Sequence, residues 1–252
     1  MFNLKGKVAI VTGGNGGIGL AIASGLAEAG AVIAIIGRDA GKNSAACERL
    51  TAAGETAISF VADVTNEASV ESAIDEISTA FGKIDILVNN AGSNDRKLPQ
   101  DYTLAEWNTL LSANLTSAFI VSQAVYPAMS RSKSGKIINI GSMLSIFGNA
   151  RAAPYAAAKG GIVQLTKSLA QAWAPDGINV NALLPGWIET ELTKVARKQL
   201  PNLDEQVKIR TPQGRWGRPE DLAGAAVFLA SRASDFVTGI TLPVDGGYSS
   251  NT

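Results

Sequence analysis

Short apolar runs rich in strand-forming residues alternate with helical stretches along this 252-residue chain, and this alternation restricts the possible folds more than any other feature. The first run, 8–11, passes through a glycine-rich turn into a helical pattern over 20–29. Further apolar runs lie at 32–36, 57–61, 84–88 and 136–140, with helical patterns over 45–53, 68–81 and 103–129. This alternation predicts an α/β fold with a doubly wound parallel sheet and helices on both faces. In such folds ligands bind at the carboxyl ends of the strands.

The turn after the first predicted strand has the glycine spacing of a phosphate-binding site. Two overlapping motifs are present: Gly14-x-Gly16-x-x-Gly19 and Thr12-Gly13-x-x-x-Gly17-x-Gly19. Glycines let the backbone approach a phosphate closely, and the following helix offers free N–H groups in its first turn. Glycine turns also serve close packing alone, but the strand before this one and the helix after it favour a dinucleotide site.

The end of the second predicted strand bears on which dinucleotide binds. The strand ends in Gly37, and Arg38 and Asp39 follow. An acidic residue in this region would bind the ribose 2′-hydroxyl of NAD, whereas an arginine accommodates the 2′-phosphate of NADP. Glycine does not repel that phosphate and Arg38 attracts it, so we favour NADP(H) over NAD(H). Asp39 leaves NAD open, and a solvated loop arginine is the alternative interpretation of Arg38.

Composition excludes several classes of function. The 22 basic and 22 acidic residues cancel, so nothing favours a nucleic acid or an anionic membrane as a partner. The chain has no histidine, which removes histidine triads and histidine-based metal sites, and we expect no metal. The single cysteine, Cys47, fits a reducing compartment, the N-terminal segment lacks a signal-peptide core, and no apolar run reaches membrane-spanning length. We expect a single domain over 1–252 in the cytoplasm.

Tyr155 and Lys159 stand four residues apart at the start of an alanine-rich stretch that is predicted to be helical. Pro154, just before the tyrosine, suits a first helical position. Side chains four residues apart share a helix face, so the ammonium of Lys159 would lower the pKa of the phenol from its ordinary value of about 10. The pair is then a candidate acid and base, although an amphipathic surface pair has the same spacing.

The remaining motifs follow the strands in a fixed order and span nearly the whole chain. Besides the glycine turn they are Asp63, Asn89-Asn90-Ala91-Gly92, Asn114, Ser142, Tyr155-x-x-x-Lys159 and Pro185-Gly186 with Thr190. In this combination the chain resembles the single-domain short-chain dehydrogenases/reductases. The resemblance implies a Rossmann-like sheet of seven parallel strands, a nicotinamide cofactor and a homotetramer.

The resemblance also implies roles for individual residues. Tyr155 would be the general acid and base, and Lys159 would lower its pKa and hold the nicotinamide ribose. Ser142 would hydrogen-bond the substrate oxygen, and Asn114 would hold a water that relays protons from Lys159. The residues expected to hold the cofactor are Gly13, Asn15, Gly17, Ile18, Gly19, Arg38, Asp63, Val64, Asn90, Ala91, Gly92, Tyr155, Lys159, Pro185, Gly186, Ile188 and Thr190.

Several segments resemble the sugar-acid dehydrogenase branch of the family: 142–145, 210–217, 233–239 and 244–247. Arg96 and Arg151 lie in loops that should face the pocket, and an arginine fork binds a carboxylate bidentately. We expect one of the two to anchor a substrate carboxylate, although either can be an exposed loop residue. Trp187 would stack on a sugar ring or fill the core. Residues 188–209 suit a mobile lid.

Other functions stay open on the sequence alone. A dinucleotide-sensing regulator without turnover is one, but it has no need of Ser142, Tyr155 and Lys159 together. A sugar-nucleotide epimerase is another, but such enzymes carry an added substrate domain. Within the oxidoreductases, reduction of 3-oxoacyl thioesters or of ketones in general is the main alternative to a sugar acid or polyol.

Overall fold

Seven parallel strands form one sheet in the order β3-β2-β1-β4-β5-β6-β7. The computed structural model of the chain describes residues 1–251, apart from the Gln199 side chain. The strands are β1 Val8–Thr12, β2 Val32–Gly37, β3 Ala57–Val61, β4 Ile86–Asn89, β5 Gly135–Ile140, β6 Ile178–Pro185 and β7 Thr241–Val244. The predicted α/β fold with a Rossmann-like, doubly wound sheet is confirmed. The order reverses between β1 and β4, and their carboxyl ends open the crevice in which such folds bind ligands.

Nine α-helices are assigned within the described residues, and they cover both faces of the sheet. They are α1 Gly17–Glu28, α2 Ala40–Ala52, α3 Glu67–Phe81, α4 Leu104–Leu111, α5 Ser117–Ser132, α6 Ala153–Trp173, α7 Glu191–Gln199, α8 Leu203–Arg210 and α9 Ala223–Ala230. Side chains of α1, α2 and α9 pack on one face, and those of α3, α5 and α6 pack on the other. Because successive strand residues point to opposite faces, Ala9 and Val11 join the first cluster and Ile10 joins the second.

Two helices differ from the sequence expectation. The α2 helix begins at Ala40, five residues earlier than expected, because the Asp39 carboxylate caps it by accepting from the Lys42 N–H at 3.0 Å. The stretch expected as one long helix over 103–129 is divided. A capping box of Thr103 and Glu106 starts α4 where the helical pattern begins, but a π-helical turn over Ser112–Thr116 separates α4 from α5. Such turns are frequent at functional sites, and this one contains Asn114.

Within the described residues, no helix combines the length and the apolar composition needed to cross a membrane.

Candidate active site

The glycine turn and the turn after β4 are joined by hydrogen bonds. The Thr12 hydroxyl accepts from the N–H groups of Asn90 and Ala91 at 3.0 and 3.1 Å. The Asn90 amide donates to the carbonyls of Thr12 and Gly13, each at 3.1 Å. A side chain on Gly19 would overlap both the Gly13 carbonyl and the Asn90 amide. Glycine is therefore required at this position for close packing between the two turns.

The start of α1 has the features of a phosphate cradle. Gly16 precedes the helix in an extended conformation and contributes no capping side chain. Gly16 and Gly17 are exposed, and Gly17 has φ of 51°, which favours glycine. The first N–H groups of a helix have no partner within it, so those of Gly17, Ile18 and Gly19 are placed to meet an anion. These residues fit the pyrophosphate of a dinucleotide.

The ends of strands β2 and β3 lie where the adenosine of a dinucleotide is expected. Gly37 ends β2, Arg38 is exposed beside it, and Asp63 and Val64 follow β3. Asp63 accepts from the Thr65 N–H and hydroxyl at 3.0 and 2.8 Å, and these bonds lower the pKa of its carboxyl. The charge of Arg38 lowers the same pKa further.

The expected acid and base group comes together at the ends of β4, β5 and the start of α6. Lys159 is 4% exposed, and its ammonium donates to the Ile140 carbonyl at 2.7 Å. The ammonium lies 5.6 Å from the centre of the Tyr155 ring. Burial lowers the pKa of Lys159 to about 8. Ser142 also lies beside the phenol, because a hydrogen bond with its hydroxyl acts to lower the pKa of Tyr155.

The net pKa of Tyr155 differs from the sequence expectation. Burial raises the pKa of the phenol, and this effect exceeds the opposing effects of Ser142 and of the positive charge of Arg96. The positive charge of Arg96 therefore acts on the phenol, and the effect of the Lys159 ammonium that the helical spacing predicts stays a prediction.

Asn114 anchors the loop after β4. Its amide group donates to the carbonyls of Ser93 and Leu110 at 2.7 and 2.8 Å, and its oxygen accepts from the Ser93 N–H at 3.2 Å. A side chain on Gly92 would come within 2.5 Å of the Asn114 oxygen and 3.8 Å of the Lys159 ammonium, so the three residues are neighbours. The side chain of Asn114 thus has protein partners, and its role in a water relay stays a prediction.

The two candidate substrate arginines differ in position. Arg96 is partly buried, its guanidinium lies 5.8 Å from the centre of the Trp187 ring, and its charge acts on Tyr155. Burial lowers the pKa of Arg96. Arg151 is exposed, and only its backbone N–H makes a described hydrogen bond, to Asn149 at 2.9 Å. The structure therefore brings Arg96 and Trp187 to the site and leaves Arg151 at the surface.

The residues after β6 lie on the other side of the site from the loop after β4. Glu189 N–H donates to the Gly217 carbonyl and Gly217 N–H donates to the Trp187 carbonyl, both at 2.9 Å. A side chain on Gly186 would come within 2.7 Å of the Asp245 backbone. Thr190 caps α7, and its methyl would lie 3.5 Å from a side chain placed on Gly17. Pro185 ends β6, and Gly186, Ile188 and Thr190 follow it, so the expected nicotinamide segment reaches the glycine turn.

Two positioning residues were missed from the sequence. The Ser145 hydroxyl donates to the Lys159 carbonyl at 2.7 Å and accepts from the Ser142 N–H at 3.1 Å, so it joins two members of the expected acid and base group. Asn43, on α2, is fully buried and bonds to Asn15 in the glycine turn. A polar residue in the apolar stripe of α2 was the available sequence signal for Asn43. Ser145 had none beyond its place after β5.

The parallel sheet, the phosphate cradle at its switch point and the Ser142, Tyr155 and Lys159 group define a class of protein. The chain belongs to the short-chain dehydrogenase/reductase family, and it is an NAD(P)-dependent oxidoreductase. The family model described as enoyl-(acyl carrier protein) reductase matches residues 13–249.

Similar proteins include enzymes of two substrate classes. The chain is 41% identical over 248 residues to a 2-dehydro-3-deoxy-D-gluconate 5-dehydrogenase of Dickeya dadantii, covering 98% of this chain and 97% of the relative. It is 43% identical over 248 residues to a 3-oxoacyl-(acyl-carrier-protein) reductase of Vibrio cholerae, covering 97% and 98%. The crystal structure of a gluconate 5-dehydrogenase from Burkholderia cenocepacia in complex with NADP and tartrate is 45% identical. The structural match covers 100% of this chain and 98% of the Burkholderia cenocepacia chain, with a TM-score of 0.95.

Proposed function

We propose that the enzyme interconverts a secondary alcohol and a ketone on a sugar acid or polyol, with NADP(H) preferred over NAD(H). The observation that carries this proposal is the partly buried Arg96 guanidinium, which lies 5.8 Å from the centre of the Trp187 ring and whose charge acts on the Tyr155 phenol. A carboxylate held by Arg96 would place a neighbouring alcohol or ketone carbon beside the acid and base. The relatives that act on gluconate and on a deoxy-gluconate support the same substrate class.

The chemistry divides between the cofactor and the chain. When bound, the nicotinamide supplies or accepts the hydride. In reduction, Tyr155 donates its proton to the carbonyl oxygen while Ser142 hydrogen-bonds that oxygen and stabilises its developing charge. In oxidation Tyr155 takes the alcohol proton. We assign Lys159 to the nicotinamide ribose and Asn114 to the proton relay.

We assign the cofactor to the cradle described above. Gly13, Asn15, Gly17, Ile18 and Gly19 would hold the pyrophosphate on the N-terminus of α1, and the remaining contacts follow the strand ends. The further contacts are Asp63 and Val64 after β3, Asn90, Ala91 and Gly92 after β4, Pro185 at the end of β6, and Gly186, Ile188 and Thr190 after it. The NADP(H) preference rests on Gly37 and the exposed Arg38, and the NADP-bound relative supports it.

A Tyr155→Phe variant tests the acid and base assignment. Turnover should fall by about a hundredfold to ten-thousandfold, the usual contribution of general acid–base catalysis, while the dissociation constant for the cofactor stays unchanged. The assay follows nicotinamide absorbance over sugar acids, polyols and ketones with both cofactors. A variant that keeps full turnover would contradict the assignment.

Arg96→Ala and Arg151→Ala test the substrate class. Loss of a charged hydrogen bond is worth about 1.5–3 kcal/mol, so Arg96→Ala should raise KM for a carboxylated substrate at least about tenfold. It should change KM far less for the uncharged polyol analogue, and Arg151→Ala is the matched control. Equal effects of Arg96→Ala on both substrates would exclude a carboxylate anchor.

A variant that removes the Arg38 charge tests the cofactor preference. Arg38→Met should weaken NADP⁺ binding by about tenfold and leave NAD⁺ binding nearly unchanged, because only NADP⁺ carries the 2′-phosphate. Isothermal titration of both dinucleotides measures this. A wild-type enzyme that binds NAD⁺ more tightly would refute the preference.

A 3-oxoacyl-thioester reductase is the second candidate, and the 43% identical Vibrio cholerae reductase is the observation that favours it. A single assay separates the two functions: reduction of a 3-oxoacyl thioester compared with reduction of a keto sugar acid at equal concentration. Higher kcat/KM on the thioester would replace the sugar-acid proposal.

We also propose a cytoplasmic homotetramer with no nucleic-acid partner. Large apolar side chains are exposed at Leu104 and Phe119, on α4 and α5, and at Phe236 and Ile240, before the edge strand β7. Exposed apolar side chains of this size are candidates for contacts between subunits. Light scattering after size exclusion tests the tetramer, and Phe119→Glu should weaken it. A monomer at micromolar concentration would contradict the assembly.

A further inference from the structure

A buried amide on α2 connects three parts of the adenosine end of the cofactor site. Asn43 is 0% exposed and lies in the buried stripe of α2 with Ala46 and Leu50, a stripe that packing alone would fill with apolar residues. Its amide donates to the Gly37 carbonyl at 2.9 Å and to the Phe60 carbonyl at 3.4 Å. The Asn43 side chain thus joins the ends of β2 and β3.

The oxygen of the same amide binds the glycine turn. The Asn15 amide donates to the Asn43 oxygen at 2.6 Å. A buried amide that lost these partners would destabilise the fold by about 1–3 kcal/mol, whereas the described contacts satisfy both ends of Asn43. A polar residue held by three partners at the edge of a binding cradle has a geometric role that an apolar residue could not fill.

The two amides occupy the space in front of Gly37. A side chain on Gly37 would come within 2.5 Å of the Asn43 oxygen and 2.7 Å of the Asn15 amide nitrogen. Gly37 is absent from the glycines with positive φ, so its backbone is open to any residue. A side chain at position 37 would therefore overlap the hydrogen-bonded Asn15–Asn43 pair, and glycine avoids this overlap.

The Asn15–Asn43 pair in front of Gly37 bears on which dinucleotide binds. The last residue of β2 is where a carboxylate would reach the ribose 2′-hydroxyl of NAD. We propose that Asn43 is a specificity-determining residue: through Asn15 it excludes a carboxylate from position 37 and leaves the 2′ position to Arg38. The inference rests on the proposed function, because it concerns the same nicotinamide dinucleotide, and it names how the preference is maintained.

The test is a set of variants read by equilibrium binding of NADP⁺ and NAD⁺, with turnover not used. Gly37→Asp alone should weaken NADP⁺ binding by at least about tenfold, since it adds a like charge, and should leave NAD⁺ binding within about twofold of wild type. Gly37→Asp with Asn43→Ala should bind NAD⁺ at least about tenfold more tightly than Gly37→Asp, because the carboxylate then has room to accept from the ribose hydroxyls.

Gly37→Asp with Ser44→Ala is the matched control, since Ser44 is the next residue of α2 and is exposed. It should behave as Gly37→Asp alone. Thermal unfolding of each unliganded variant shows which are folded, and Asn43→Ser, which keeps a donor for the Gly37 carbonyl, replaces Asn43→Ala if that variant unfolds. A merely structural Asn43 would change the unfolding temperature without changing the ratio of the two dissociation constants.

Two results would overturn the inference. One is a Gly37→Asp variant that gains NAD⁺ affinity with Asn43 intact, and the other is a folded double variant that binds NAD⁺ no better than the Ser44 control. A wild-type enzyme that prefers NAD⁺ would instead refute the proposed cofactor preference, and the variants would still decide whether Asn43 excludes a side chain at position 37.

Discussion

Replacing Lys159 by methionine tests how the fold holds a buried cation at the active site. Burial lowers the pKa of the ammonium from 10.5 to about 8. The folded chain therefore releases this proton near pH 8, whereas the unfolded chain holds it up to about pH 10.5. The unfolded state binds more protons between these values, so folding is penalised below pH 8, and the penalty disappears as pH rises through 10.5.

The magnitude follows from the two pKa values. They correspond to a penalty of about 3 kcal/mol at pH 7. Methionine has no charge and removes this penalty, but it leaves the Ile140 carbonyl, 2.7 Å from the ammonium, without its donor. An unpaired buried carbonyl destabilises by about 1–3 kcal/mol. The two effects nearly cancel at pH 7, but only the first depends on pH, because a carbonyl does not titrate.

The measurement is therefore the pH dependence of urea unfolding, at one protein concentration, for wild type and Lys159→Met. The free energy of unfolding of the variant minus that of wild type should fall by about 2–3 kcal/mol between pH 7 and pH 10. Lys167→Met is the matched control, since Lys167 lies on the same helix and is exposed, and its difference should stay constant. A constant difference for Lys159→Met as well would show that the ammonium keeps its ordinary pKa, and the account of burial would be wrong.

Three further variants test the packing around the site. Gly19→Ala should destabilise the unliganded protein by about 1–3 kcal/mol in urea unfolding, because the new methyl overlaps backbone, whereas Gly16→Ala has open space and should change little. Arg197, on α7, forms ion pairs with Glu189 and Asp204 at 3.0 and 2.8 Å and lies 3.9 Å from the centre of the Trp216 ring. Arg197→Gln removes these contacts, so amide hydrogen exchange in α7 should become faster. Lys198→Gln, at the exposed neighbouring position, should leave the exchange rate unchanged. Ser145→Ala should lower kcat by about tenfold with unchanged cofactor affinity; lowered affinity instead would show a structural role.

Much of the fold could be predicted from the sequence because its signals are local. Apolar strand runs and glycine or asparagine turns placed most strands within two residues, and parallel strands bring their carboxyl ends to one edge. Because the carboxyl ends of parallel strands share one edge, the sequence predicts that Ser142, Asn90 and the glycine turn lie close together. The seven-stranded count came from the family resemblance, since β6 has no equally distinct pattern.

The features that were not predicted depend on contacts between distant segments. The π-helical turn at Asn114 has no sequence pattern of its own, and it lies between α4, which packs against α6, and α5, which packs against the sheet. The choice between Arg96 and Arg151 could not be made from the sequence either, since both flank catalytic motifs. Only the course of the loop after β4, held by Asn114, turns Arg96 toward Tyr155.

The charges around the phenol link the substrate class to the direction of proton transfer. Burial raises the pKa of Tyr155 and lowers that of Lys159, so it favours the neutral form of both groups. Arg96 is the cation whose charge opposes this effect at the phenol. A substrate carboxylate paired with Arg96 would offset that charge, so we expect the phenol to keep its proton more firmly when such a substrate is bound. A protonated phenol is the form that protonates a ketone oxygen, and we expect an uncharged polyol, which leaves the Arg96 charge unpaired, to favour the base form by comparison.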